Sequence, residues 1–326
     1  MSNFDQQLHN RLKFFQYFNF ILSTLLLPII IFMFSARSFK LGKYRYYLLN
    51  TNIWHYVVSA LIFFINPILF LPSMCVSANP MLPLQHNQFS AIAYLTLFAL
   101  INLELSTCCS LLYRCSKAFH GLISSLFDRT PWTETCYVVV FLFFQILILG
   151  SIFMQQTSGE EQTRIQFAIE NPDLIDHFKD KPLMCFANTE LSRLIMLYIS
   201  FILLFFYLAG NVLWARLLYA LYSNKNHVRS HNMQVMLFKV LVVRMHVAYI
   251  LFLIPVYVVC VFIYIQYKHT AYYTTIVVAL ISSYSWIDYM VLLYFVVPYR
   301  ETIRKALKLC FCPSQVVAVG ILHIDK

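Results

Sequence analysis

The chain is poor in the features that mark soluble or catalytic proteins. Charged residues make up 12% of its 326 positions, about half the share in an ordinary soluble domain. Only six glycines are present, and no GxxxG pair occurs, so helices here pack through large side chains rather than close backbone contact. There is no HExxH or GxSxG motif, which leaves metalloprotease or serine-hydrolase chemistry without its usual residues. No N-x-Ser/Thr sequon, fixed-period repeat, low-complexity tract or linker rich in Pro, Gly or Ser interrupts the sequence.

What is abundant is apolar sequence. Hydrophobic residues reach 60% and mean hydropathy is +0.68. Seven runs, 14–34, 46–70, 90–113, 136–154, 194–221, 240–265 and 274–297, reach or approach the ~20 residues that cross a bilayer. Backbone polar groups in hydrocarbon must be satisfied within the segment, so these runs are expected to be helices. The expected fold is an all-α membrane protein, a seven-transmembrane helix bundle over 14–298. Residues 1–13 would be an extracellular N-terminus. The first run is too long for a cleaved signal core.

The net charge of +10 is distributed as a membrane protein distributes it, and no nucleic-acid partner is expected. With the N-terminus outside, seventeen of the 24 Lys and Arg fall on the cytoplasmic side, Arg244 among them, and seven outside. The positive-inside rule then gives N-out and C-in. The long outside loop 155–188 carries Glu160, Glu161, Glu170, Asp173, Asp176 and Asp180. Beyond Pro298, Ile303, Leu307 and Phe311 alternate with Arg300, Arg304 and Lys308. That pattern reads as a short cytoplasmic amphipathic helix on the lipid headgroups, followed by a tail to 326.

Cys75 and Cys185 sit in outside loops, where an oxidising exterior would let them pair; free thiols are the other reading. Cys310 and Cys312 follow the amphipathic stretch, a placement that suits reversible lipidation or plain surface thiols. His227 and His231 have the spacing of a zinc pair but no further ligand nearby, so no metal and no cofactor is expected.

Few polar side chains lie deep in the spans. His55, Glu104, Gln145, Asn211 and Asp288 each fall nine or ten residues from an inner span end, ~14 Å deep. They are read as one mid-membrane polar layer, with His55, Asn211 or a bound cation compensating the two carboxylates, or else as groups satisfied locally. Asn66, Tyr94, Thr96, Tyr198, Tyr257 and Tyr264 lie toward the outer ends, either as a pocket for a small organic ligand or as an interfacial aromatic belt. Tyr113 and Arg114 close the third span on the inner side, at the depth where G-protein-coupled receptors carry a G-protein-contacting arginine. Snorkelling to the headgroups is the plainer account of Arg114.

An ordered set of short motifs carries a family likeness. Arg45-Tyr46-Tyr47-Leu48-Leu49-Asn50 and Trp54 open span two, and Asn66-Pro67 with Leu71-Pro72 close it. Glu160-Glu161-Gln162 and Asn171-Pro172 stand in the long loop. Gln234, Ile254-Pro255 and Pro298-Tyr299-Arg300 mark the last two spans. The set resembles the nematode serpentine chemoreceptors of class H or the related class I, from about Phe14 to Cys312. Two departures from class H stand out: Tyr284-Ser285-Trp286 replaces a His-Gly pair in span seven, and Arg244 or a neighbour replaces a glutamine in span six. The resemblance implies a plasma-membrane chemosensory receptor, placed in the sensory cilium, that detects a small molecule and signals through a heterotrimeric G protein. Membrane lipid is its other partner. The alternative reading is a seven-helix ligand-gated ion channel or transporter, because buried carboxylates also line ion paths.

Overall fold

The computed structural model describes residues 3–37, 43–71, 74–78, 85–118, 132–156, 159–170, 172, 178, 181–223, 231–267, 271–296 and 299–304. Its main elements are α1 (Asn3–Arg37), α2 (Tyr44–Ile65), β1 (Pro67–Phe70), β2 (Cys75–Ala78), α3 (His86–Ala118), α4 (Trp132–Gln155), α5 (Glu160–Glu170), β3 (Leu183–Cys185), α6 (Glu190–Ser223), α7 (His231–Ala248), α8 (Ile254–Tyr264) and α9 (Ala271–Phe295). α7 and α8 form one span through a π-helical turn, Tyr249–Leu253. Six spans are long and apolar enough to cross a membrane, and the 24-residue α4 supplies the seventh apolar helix. The protein is a seven-helix membrane bundle.

Two local features follow from proline chemistry. Span two was expected to run to residue 70, but α2 ends at Ile65 and Asn66 takes a left-handed conformation with φ 46°. The residue before a proline is disfavoured in a right-handed helix, and Asn is one of the few side chains tolerated at positive φ. Pro67 then starts an edge strand, where its missing N–H costs least. In span six, Pro255 cannot donate to Leu251 and its ring would crowd that carbonyl. The π turn just before it resolves the conflict, with the Ile254 N–H reaching back to Tyr249.

α9 is the most enclosed of the apolar spans. Its polar face stitches it to α1 and α2. Asn19 donates to Ser282 (2.7 Å) and accepts from Trp286 (2.9 Å). Ser285 donates to the His55 carbonyl (2.5 Å) and Tyr289 to the Asn52 carbonyl (2.8 Å). The Tyr284-Ser285-Trp286 run is therefore a contact surface, each member touching α1 or α2. On the inner side, Tyr44, Leu48, Tyr113, Val240, Tyr289 and Tyr299 share one buried cluster. Residues 299–304 are helical, and Tyr299 packs edge-on to Phe34; the rest of the expected amphipathic helix, with Cys310 and Cys312, lies outside the described residues.

On the outer side the loops fold into a cap. β1 and β2 form an antiparallel hairpin, and β3 adds to β2 with Cys75 opposite Cys185. The two cysteines are joined by a disulfide with Cα atoms 4.1 Å apart. α5 lays Phe167 on Phe70 and Phe178, closing a small apolar core over the sheet. Thr274 at the start of α9 donates to the Leu69 carbonyl (3.0 Å), tying the cap to the bundle.

Candidate functional site

The polar core of the bundle is an ion cluster between α2, α7 and α9. Arg244 Nε and Nη2 donate to Asp288 Oδ1 and Oδ2, each at 2.6 Å. Both side chains are buried. A bidentate guanidinium–carboxylate pair fixes orientation as well as distance, so it locks the rotation of span six against span seven. His55 Nε2 stands 3.4 Å from Asp288 Oδ2 without forming a hydrogen bond. The His55 ring lies edge-on to Tyr284 at 4.2 Å between centroids. His55 is thus held by packing and sits beside the pair as a neighbour rather than a full partner.

Arg244 corrects the sequence reading. It was assigned to the cytoplasmic face, yet it is buried in the bundle and supplies the cation that balances Asp288. The remaining basic residues keep the inner excess. The signal was available: an arginine four residues into a continuous apolar run needs a buried acid, and the spans offer two, Glu104 and Asp288.

The expected single polar layer resolves into separate sites. Asn211 donates to the Tyr207 carbonyl of its own helix (2.9 Å) and joins no interhelical pair that the described residues reveal. The Tyr284 hydroxyl meets Thr107, which sets α3 against α9. Glu104 lies three residues outward of Thr107 and Asp288 four inward of Tyr284, about 10 Å apart along the bundle. α3 runs on to Ala118, past the expected inner end at residue 113. Glu104 Oε1 and Gln145 Nε2 are enclosed without hydrogen-bond partners among the described residues.

Arg114 is folded inward. Its guanidinium lies over the Tyr44 ring at 3.6 Å, a cation–π contact across α3 and α2. Tyr113 stacks on Tyr44 and Tyr47, at 6.0 and 4.8 Å between centroids. Ser110 donates to the Tyr44 hydroxyl at 3.4 Å. Arg114 Nε and Nη2 are enclosed without hydrogen-bond acceptors among the described residues. This end of α3 therefore carries a cation held against an aromatic ring.

The six outer-half residues do not line one cavity. Asn66 caps α2. Tyr94 donates to Gln156 (2.7 Å) and Thr96 to the Ile92 carbonyl (2.8 Å). Tyr198, Tyr257 and Tyr264 are exposed on the bundle exterior, as an interfacial belt would have them. Asn66 also borders a crevice of about 170 Å³ with Lys13, Gln16, Tyr17 and Phe63. Nearby, Lys181 lies on the Phe178 ring (4.6 Å), and burial, with Lys13 nearby, holds its ammonium below the usual lysine range.

Residues 7–303 match the family model of the serpentine type 7TM GPCR chemoreceptor Sri. The chain belongs to the Sri family of serpentine chemoreceptors. Of the two classes that the motifs resemble, the match selects class I, in keeping with the class H pair missing from span seven. No curated protein is significantly similar to the receptor. The family is one of multi-pass membrane receptors rather than of enzymes. Among the described residues no group of three or more His, Cys, Asp or Glu gathers as a metal site, and His227 lies outside them.

Proposed function

We propose that the protein is a chemosensory receptor that binds a small environmental molecule in its outer half and activates a heterotrimeric G protein through Arg114 on the cytoplasmic face. The N-terminus is outside and the C-terminus inside, in accord with the basic excess at the inner helix ends. The observation that carries this reading is the Arg114–Tyr44 contact, since a cation held against a ring at the inner end of α3 is a group held in reserve.

In this arrangement the Tyr44 ring covers the guanidinium, and Tyr113 stacks on Tyr44. Separation of the inner ends of α2 and α3 would free Arg114 for carbonyl or carboxylate acceptors on a docked partner. The Arg244–Asp288 clamp opposes such motion by holding span six on α9. The π turn above it gives span six a bending point. Ligand energy delivered to the outer half would be spent on loosening these two contacts.

The experiment is basal G-protein activation by Tyr44→Leu in cells, which keeps the bulk of the side chain and removes the cation–π contact. Such contacts are worth about 0.5–2 kcal/mol, so basal activity should rise by roughly two- to thirtyfold where the active population is small. Unchanged basal activity at equal surface expression would contradict the latch.

A further inference from the structure

The least compensated group in the bundle is Glu104. No hydrogen bond or ion pair reaches its carboxylate among the described residues, and Oε1 is fully enclosed. The nearest strong cation is spent, because Arg244 is engaged on two atoms by Asp288. Tyr284 and Cys108 lie within electrostatic reach and carry no positive charge. Yet Glu104 is not sealed in, since part of the residue remains uncovered. An anionic oxygen without donors is costly unless something brings donors to it.

The neighbouring helix supplies a second polar group at the same level. Tyr94 of α3 bonds Gln156 and touches Phe153, so the antiparallel α3 and α4 are in fixed register there. Ten residues inward along α3 is Glu104, and ten back along α4 falls at 143–146, a stretch that contains Gln145. Around it Val139, Leu142, Phe143, Ile146 and Leu147 are exposed while Gln145 is buried, so its amide faces the bundle. Its Nε2 has no partner, and a half-turn of the amide presents the carbonyl oxygen instead. An acid on α3 and an amide on α4 then stand at about the same level of the bundle, and Glu104 directly follows Leu103 of the apolar cluster that holds Ala99, Phe252 and Tyr284.

We propose that Glu104 and Gln145 form the anchor of the ligand site, and that the ligand class is a small apolar molecule bearing a protonated primary amine. An ammonium donates to a carboxylate and an amide carbonyl in charge-assisted bonds and accepts apolar walls around its stem. A hard metal ion would ask for six or more oxygen ligands, and the described residues offer no such cluster. The proposal rests on the receptor reading for its biological sense and on the unpartnered carboxylate for its chemistry.

The test needs no G protein. Thermal unfolding of the purified receptor in lipid nanodiscs at pH 7 is followed with 2-phenylethylamine and n-hexylamine, against the uncharged 2-phenylethanol and n-hexanol. Near-saturating amine should raise the wild-type Tm by roughly 5 °C, with no rise from the alcohols. Glu104→Gln should abolish the shift, and Glu104→Asp should keep a weaker one. A shift of equal size with the alcohols, a full shift in Glu104→Gln, or none in the wild type with either amine would each overturn the site. An amine shift in a receptor that never activates a G protein would remove the signalling reading and leave the site standing. Activation unaffected by Glu104→Gln would do the reverse.

Discussion

Replacing Arg244 by Met is expected to cost about 3–5 kcal/mol, because it strands the Asp288 carboxylate in a water-free core. The single variant should show lower surface expression and a depressed unfolding temperature. Adding Asp288→Leu should recover most of the loss, since exchanging both members of a buried pair for apolar groups of similar volume is often neutral or stabilising. The double-mutant cycle by thermal unfolding in detergent thus predicts strong coupling. Additive losses would mean that the two side chains do not depend on each other, against the two 2.6 Å bonds. His55→Leu should cost less, as its ring nitrogens hydrogen-bond neither Asp288 nor any other described group. If the pair also restrains span six, the folded double variant will have raised basal activity.

The second large effect is expected at the outer cap. The Cys75–Cys185 bond joins two positions with a sequence separation of 110, and losing such a cross-link typically costs about 2–5 kcal/mol. The Cys75→Ser/Cys185→Ser variant should lose surface expression and expose the cap to protease first, because Phe70, Phe167 and Phe178 are a small core that the sheet alone holds weakly. A membrane-impermeant reductant should reproduce the effect on the wild type and leave the double variant unchanged. Equal protease resistance in all three would show that the bond is dispensable for the cap.

Which parts were legible in the sequence follows from the range of each interaction. A span is a local property, so seven runs of apolar residues became seven helices, most ends falling within five residues. α1 starts eleven residues before its run and α7 nine, because a helix continues past its apolar stretch. The exceptions have local causes too: Asn66-Pro67 stops α2 five residues early, and the chemistry of that pair predicts the stop. The outer cap was hidden because its strands are three or four residues long and β2 pairs with a β3 more than a hundred residues away. Asp288 was visible as a costly acid inside a span, but its partner was miscounted as an ordinary inner cation. Only the side-by-side placement of α7 and α9 makes Arg244 an internal residue. Asn211 shows the opposite limit. A polar residue at the right depth was satisfied by its own helix, which periodicity does not distinguish from an interhelical bond. Glu104 and Asp288 do not share one site, because Asp288 is taken by Arg244 on the neighbouring span.

The central claim is that Arg114 carries the signal from a seven-helix receptor with its N-terminus outside. The direct measurement is G-protein activation in cells expressing the wild type and Arg114→Ala, each bearing an N-terminal epitope labelled on intact cells. The account predicts an epitope exposed in both, activation in the wild type under an amine mixture, and a loss of at least about tenfold in Arg114→Ala, the effect of removing a charged interfacial anchor. An epitope accessible only after permeabilisation, together with an ionic current under the same stimulus, would contradict it and identify the protein as a channel.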